Sequence, residues 1–279
     1  MCLCRFRVDA GPPSWGWIVG SDVCVVGGRD VRRVLSGRAA EPLDALSAVA
    51  TPPVRPLEEV RLLAPVIEPM EVWAAGVTYE SSKLARMAES AAAPDAYARV
   101  YMADRPELFF KARPSRVSGP LEPVRRRADS AWTVPEPELA VLFSASGTVL
   151  GYAVGNDITA RDIEGANPLY LPQAKIYEGS CALGPWWTPA GSVSPAALGV
   201  DLEVRRGDEV AFRGHTSTSC LRRTSGDLVE WLLRELRLPA GGVLLTGTGI
   251  VPPDAFSLRR GDVVSIWIEG LGRLDSPVH

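Results

Sequence analysis

Three features of the 279-residue chain predict a β-dominated α+β fold: short apolar runs punctuated by glycine, paired hairpin signals, and no more than three helical stretches. The first hairpin signal is Ser146-Gly147, between the β-rich runs ELAVLF and VLGYAVGND. The second is Gly207-Asp208, between VDLEVRR and EVAFRG. With 46% hydrophobic residues, the chain can bury one large core, or one large and one small.

Residues 1–50 read as short strands and turns (WGWIV, DVCVVGG and DVRRVL) followed by a small-residue stretch at 39–50. The proline-rich segment ATPPVRPL, residues 50–57, reads as a connector. It divides the expected small N-terminal α+β domain, residues 1–60, from a main domain, residues 61–279. That domain opens with the extended EVWAAGV and a helix over 81–92, for which Ser81 or Thr78 is a candidate cap. PELFFKARPSRVSGP follows as a strand running into a loop. After the Ser146-Gly147 hairpin, RDIEGANPLYLPQAKIYEGSCALGP reads as a long polar loop, a length usually kept for function. A helix over 224–237 starts at the capping-box pattern Thr224-x-x-Asp227 and carries an apolar stripe of Leu228, Val229, Leu232, Leu233 and Leu236, which is core packing. GGVLLTGTGIVPP and GDVVSIWIEGLGRL close the chain as glycine-punctuated strands. No internal repeat is visible, and the only low-complexity tract is the alanine run at 91–93.

Composition narrows the function. A formal net charge of −3 gives no electrostatic case for nucleic acid or an anionic membrane surface. No apolar run approaches the ~20 residues needed to span a bilayer. The start, MCLCRFRVDAGPP, lacks an apolar segment of signal-peptide length, so a cytoplasmic protein is expected. Five cysteines without a CxxC pair point to reduced thiols, and Cys2-x-Cys4 reads as a frayed terminus before it reads as a metal site. With two histidines, His215 and His279, a His-rich zinc site is excluded and a His-dependent triad would have to use one of them.

The strongest chemical signal lies at 135–157. Glu136 and Glu138 flank Pro137, and residues two apart on an extended chain share a face. If the hairpin closes on a two-residue turn, Ala145 pairs with Thr148, and counting back sets Glu136 opposite Asp157. Opposed Cβ atoms lie about 5 Å apart, so the three acids would share one face. Carboxylates that close repel unless protons or a cation intervene, and an all-oxygen set suits Mg²⁺ or Mn²⁺. A solvated strand end carrying unrelated acids is the other reading of the same spacing.

GVTYESSKLARMAE, PELFFK, VPEPELAVLF, GYAVGNDITARD, Lys175-x-x-Glu178 through Gly184-Pro185, TGTGIVPP and GDVVSIWIEGLG stand in the order seen in the fumarylacetoacetate hydrolase family, which the chain resembles over roughly residues 70–279. The resemblance implies a mixed β-sandwich roll with a small N-terminal domain, and Mg²⁺, Mn²⁺ or Ca²⁺ on Glu136, Glu138 and Asp157. It also implies a small 2-keto acid substrate and a homo-oligomer, dimer or tetramer. One departure matters. The hydrolytic branch has a water-activating histidine where this chain carries Ser82, and a serine has no accessible basic pKa. WAAGVTYESS, VYMADRPELFFK, PEPELAV and RDIEGANPLYLPQAKIY resemble most the branch of 2-keto-3-deoxy-D-arabinonate dehydratases. The implied reaction is loss of water from a 2-keto-3-deoxy pentonate to give 2-oxoglutarate semialdehyde, in sugar-acid catabolism.

That chemistry assigns roles. Lys175 is the candidate to take the C3 proton or to hold the enolate, and a surface lysine otherwise. Glu107, beside Leu108, Phe109 and Phe110, is the candidate acid for the departing C4 hydroxyl, or else pairs with Arg105. Thr248 in TGTG could bind the substrate carboxylate, and that motif lacks phosphate-loop spacing. Ser82 either contacts substrate hydroxyls or caps a helix, and Arg161 and Asp162 orient the metal ligands or reach substrate. Trp132, Trp186 and Trp187 read as core or subunit-interface aromatics. The rival readings are a metal-dependent hydrolase or decarboxylase of acylpyruvate-type 2-keto acids, a Schiff-base aldolase using Lys175, and an oligomer in which a metal is only a staple.

Overall fold

The acidic hairpin is the centre of the larger of two main sheets in the computed structural model, which describes residues 1–37, 41–90 and 94–279. Strand Pro137–Phe143 lies between Val149–Asp157 and Gly242–Leu245, all antiparallel. Beyond Val149–Asp157 come Cys181–Pro189 and then the N-terminal meander Cys2–Arg7, Ser14–Val19 and Asp22–Val26. Beyond Gly242–Leu245 come Glu71–Gly76, in parallel, and Glu107–Ala112. The central strands are covered on both faces, which is why PELAVLF is buried at every position.

Alternation then sorts these side chains between two cores. Leu139, Val141, Phe143, Tyr152 and Val154 pack against Val200, Leu202, Val204, Val264 and Ile266 of the smaller antiparallel sheet and against Leu228, Val229 and Leu232. That sheet runs Glu209–Ser217, Gly199–Arg206, Asp262–Ile268, Gly272–Pro277, and its first hairpin closes at Arg206↔Glu209 around Gly207 at φ +59°. On the other face, Ala140, Leu142 and Ala153 meet Leu3, Trp17, Val26 and Leu35 of the N-terminal segment. The meander extends the same sheet, joined at Leu3↔Trp187. The result is the β-dominated α+β roll expected from the sequence, and among the described residues no helix is long and apolar enough to cross a membrane.

Several local expectations are corrected. DVRRVL is helical, part of Gly28–Leu35, because Val31, Val34 and Leu35 at i, i+3 and i+4 bury one stripe. Within the proline-rich connector, Pro53–Pro56 forms an edge strand against Asp22–Val26, where a missing N–H costs no ladder bond. The terminus is not frayed: Cys2–Arg7 is a strand, and burial pushes the Cys4 thiol up to about 12. The long polar loop contains two short helices, Arg161–Ala166 and Leu171–Lys175. The helix expected over 81–92 spans Glu80–Glu89, with its end at 91–92, like the rest of the alanine run, outside the described residues. Neither Thr78 nor Ser81 caps it; their hydroxyls donate to the carbonyls of Thr246 (2.6 Å) and Gly249 (2.9 Å). The later helix, Ser225–Leu233, does carry the capping box, with Asp227 N–H on Thr224 Oγ1 at 3.1 Å. Trp187 is a core aromatic whose indole N–H donates to the Pro65 carbonyl at 2.7 Å, while Trp132 and Trp186 are partly buried.

Candidate active site

The hairpin register sets the site. Pro137 faces Asn156 and Glu138 faces Gly155, and Asp157 N–H donates to the Glu136 carbonyl at 2.9 Å. This is the pairing obtained by counting from a two-residue turn, although the turn is different. Ser144 N–H donates to Thr148 C=O at 2.9 Å, leaving residues 145–147 in the loop, and Ala145 N–H turns to Leu35 C=O. A bulge between the Phe143↔Val149 and Leu142↔Gly151 pairs absorbs the extra residue. Glu136, Glu138 and Asp157 therefore share a face, are buried, and bring ligand oxygens within 4.8 Å of one another.

Each carboxylate is supported differently. Arg161, at the start of the helix after Asp157, contacts Glu136 Oε1, and Lys175 Nζ donates to Glu136 Oε2 at 2.6 Å. Lys175 also reaches Asp157 Oδ2 at 3.1 Å and Thr159 Oγ1 at 2.7 Å. Lys111 pairs with Asp157 Oδ1 from below, its ammonium also held by the carbonyls of Ile158 (3.2 Å) and Lys175 (2.5 Å). Among the described residues Glu138 has a single donor, the Gly247 backbone N–H at 2.5 Å. Gly247 sits at φ +90°, and a Cβ there would overlap the Thr78 hydroxyl, so glycine is required for that approach.

The electrostatics follow from burial and crowding. Burial pushes Glu138 well above the usual carboxylate range, and Asp157 and Glu136 push it further. Burial also raises Glu136, against the pull of Lys175. Burial alone would lower Lys175, but Asp157 and Glu136 outweigh it and hold the ammonium well above the usual lysine value. Behind the trio, Arg86 joins Glu164 (3.1 Å) and Glu89 (2.9 Å), and Arg161 joins Glu164 (2.6 Å). Six carboxylates (Glu89, Glu107, Glu136, Glu138, Asp157, Glu164) thus meet four cationic groups (Arg86, Lys111, Arg161, Lys175), an excess of two negative charges when all are ionised. One divalent cation would balance it, and the oxygen-only donor set suits a hard ion such as Mg²⁺.

Eight of the residues singled out from the sequence line one cavity: Glu136, Glu138, Asp157, Lys175, Glu107, Thr248, Ser82 and Arg161. Lys175 is 4% exposed, so it is not a surface lysine. Burial, followed by the Glu164 charge, pushes Glu107 up to about 7. Its carboxyl occupies the space where a Cβ on Gly76 would be, and Arg105 instead lies over the Trp231 ring, 4.9 Å from its centroid. Ser82 lies inside the Glu80–Glu89 helix, whose N-cap is Tyr79, so it is not a cap. Asp162 turns away, accepting from Ser130 Oγ (2.6 Å) and Ala131 N–H (2.8 Å). His215 pairs with Asp201 at 2.7 Å, and no histidine lines the cavity. Next to Gly76, Val77 is held at φ +52°, a strained conformation for a β-branched residue.

The fold also brings in residues to which the sequence reading gives no role, Lys111, Arg86, Glu89, Glu164 and Tyr97, together with Phe109, named there only as an apolar neighbour of Glu107. Period-two alternation along PELFFK would have placed Phe109 and Lys111 on the face of Glu107. Arg86 and Glu89 follow Ser82 at helical spacing, and Glu164 follows Arg161 at i+3.

Comparison with known proteins adds four matches. The model of the fumarylacetoacetate (FAA) hydrolase C-terminal region matches residues 71–279. The chain is 46% identical over 213 residues to the probable 2-keto-3-deoxyxylonate dehydratase of Haloferax volcanii, covering 76% of this chain and 73% of that one. It is 41% identical over 226 residues to the 2-dehydro-3-deoxy-D-arabinonate dehydratase of Saccharolobus solfataricus, covering 80% and 76%. A solved 2-keto-3-deoxy-D-arabinonate dehydratase, complexed with magnesium and 2,5-dioxopentanoate, superposes with a TM-score of 0.86 at 34% identity, covering 100% of this chain and 98% of that one.

Proposed function

The chain belongs to the fumarylacetoacetate hydrolase family, and we propose that within it the protein is a Mg²⁺-dependent hydro-lyase that dehydrates a 2-keto-3-deoxy pentonate to 2-oxoglutarate semialdehyde. The observation that carries this reading is the meeting, in one cavity, of an oxygen-only carboxylate trio with a buried lysine and a carboxyl that keeps its proton near neutrality. Glu136, Glu138 and Asp157 would hold the ion. When bound, it supplies Lewis-acid polarisation of the substrate's keto-acid end.

In this reading Lys175 takes the C3 proton. It touches Glu136 and Asp157, so it stands beside the carbons next to the chelated end, and neutralising those carboxylates lessens their hold on its own proton. Glu107 donates a proton to the C4 hydroxyl as it leaves, giving the 3,4-alkene and water. Return of a proton to C3 as one leaves C5 gives the C5 enol, which ketonises to the aldehyde. Arg161 keeps Glu136 aimed, and Thr248 offers its hydroxyl to the substrate carboxylate. A hydrolase of acylpyruvates would need a base for water, and Ser82 stands where that histidine is expected, with no histidine in the cavity lining. Two wider features complete the reading: a cytoplasmic location, suggested by the free cysteines, and a homo-oligomer, checked by sedimentation.

Proton exchange separates the two roles. In D₂O with Mg²⁺, Glu107→Gln should still exchange the C3 protons of the substrate but release no aldehyde, whereas Lys175→Met should do neither. Full turnover by either variant would contradict its assigned role.

A further inference from the structure

Tyr97, on the helix Pro94–Met102, has no part in the chemistry above, yet it lines the same cavity beside Glu107, Arg86 and Ser82. Its side chain is 8% exposed, and its hydroxyl makes no hydrogen bond among the described residues. A phenol that faces the cavity can donate once and accept twice. We infer that Tyr97 is a specificity residue whose hydroxyl bonds the terminal C5 hydroxyl of the sugar acid, fixing the chain length that fits. The inference rests on the dehydratase reading.

The order of groups around the cavity supports it. In the dehydratase reading the trio would hold the ion at the keto-acid end, C1 and C2, Lys175, which touches that trio, would act at C3, and Glu107 at C4. Tyr97 stands within reach of the Glu107 charge, which acts on its hydroxyl. Burial, followed by the charges of Glu164 and Glu107, raises its hydroxyl to about 12. A neutral donor there leaves the C5 hydroxyl uncharged while the chain reacts at C3 and C4.

Competition binding to the Mg²⁺-loaded protein tests this, with 5-hydroxy-2-oxopentanoate and 2-oxopentanoate as a matched pair differing only in the terminal hydroxyl. Tyr97→Phe should weaken the hydroxylated ligand about tenfold, the equivalent of one hydrogen bond, and leave the other unchanged. For the pentonate itself, KM should rise by about the same factor with kcat within about twofold. Equal effects on both ligands, or none, would show that Tyr97 only packs its helix and overturn the inference. Wild-type protein that binds neither keto acid would remove the dehydratase reading itself, and Tyr97 with it.

Discussion

Along Pro137–Phe143, Leu139, Val141 and Phe143 enter the core shared with the smaller sheet, while Glu138, Ala140 and Leu142 face the N-terminal side, where Glu136 and Asp157 join Glu138. Both faces are buried to a similar degree and share one register. The apolar face is satisfied by packing alone. The acidic face carries charges that the fold only partly balances, so burial there costs stability and is kept for chemistry. The comparison teaches that burial alone does not distinguish structural from functional positions; the charge left uncompensated does.

The largest expected effect breaks the comparison at Lys175. Lys175→Met should lower kcat about 10³-fold while barely changing substrate affinity, as loss of a positioned proton acceptor does. On the opposite face, Phe143→Ala should cost about 4 kcal/mol of stability, read by denaturant unfolding, and leave kcat of the folded protein within about twofold.

A finer test lies within the acidic face. Glu136 is engaged by Lys175 and Arg161, but among the described residues Glu138 has only the Gly247 N–H. In EDTA, Glu136→Gln should lower stability by about 3 kcal/mol, because it strands buried cations, whereas Glu138→Gln should be neutral or stabilising. Both variants should lose the stabilisation that Mg²⁺ gives the wild type. Equal losses in EDTA would mean that the two carboxylates are equivalent and that the charge imbalance is not localised.

The pH dependence gives a smaller effect with a definite sign. Glu107 acts as an acid only while protonated, and its value is near 7. Activity should therefore fall as pH rises through about 7, and this limb should be absent from the residual rate of Glu107→Gln. Smallest of all, Mg²⁺ binding should release protons, since burial and the neighbouring Asp157 and Glu136 raise Glu138 in the metal-free protein and the ion reverses that shift. Calorimetry in buffers of different ionisation enthalpy reads that release.

Much of the site was legible because alternation is a local rule. The spacing of Glu136, Pro137 and Glu138 and a count across the hairpin reached Asp157, even though a three-residue loop and a bulge replace the simple turn. The count succeeded because the bulge compensates for the longer loop, which no local signal in ASGT reveals. Lys111 was equally legible in PELFFK, on the face of Glu107. Other parts were not. The Gly247 N–H that supports Glu138 comes from 109 residues away and is a backbone group, which side-chain patterns do not report. DVRRVL is too short for its period to outweigh valine's strand preference, and only packing under the meander decides it. Tyr97 reaches the cavity through the placement of its helix, which depends on tertiary contacts.

The central claim is that the acidic face of this hairpin dehydrates a sugar acid. The measurement that bears on it most directly is turnover of 2-keto-3-deoxy-D-arabinonate with Mg²⁺, followed through a coupled aldehyde dehydrogenase. The account predicts aldehyde formation that EDTA abolishes and Mg²⁺ restores. Absence of aldehyde, with cleavage of an acylpyruvate under the same conditions, would contradict it.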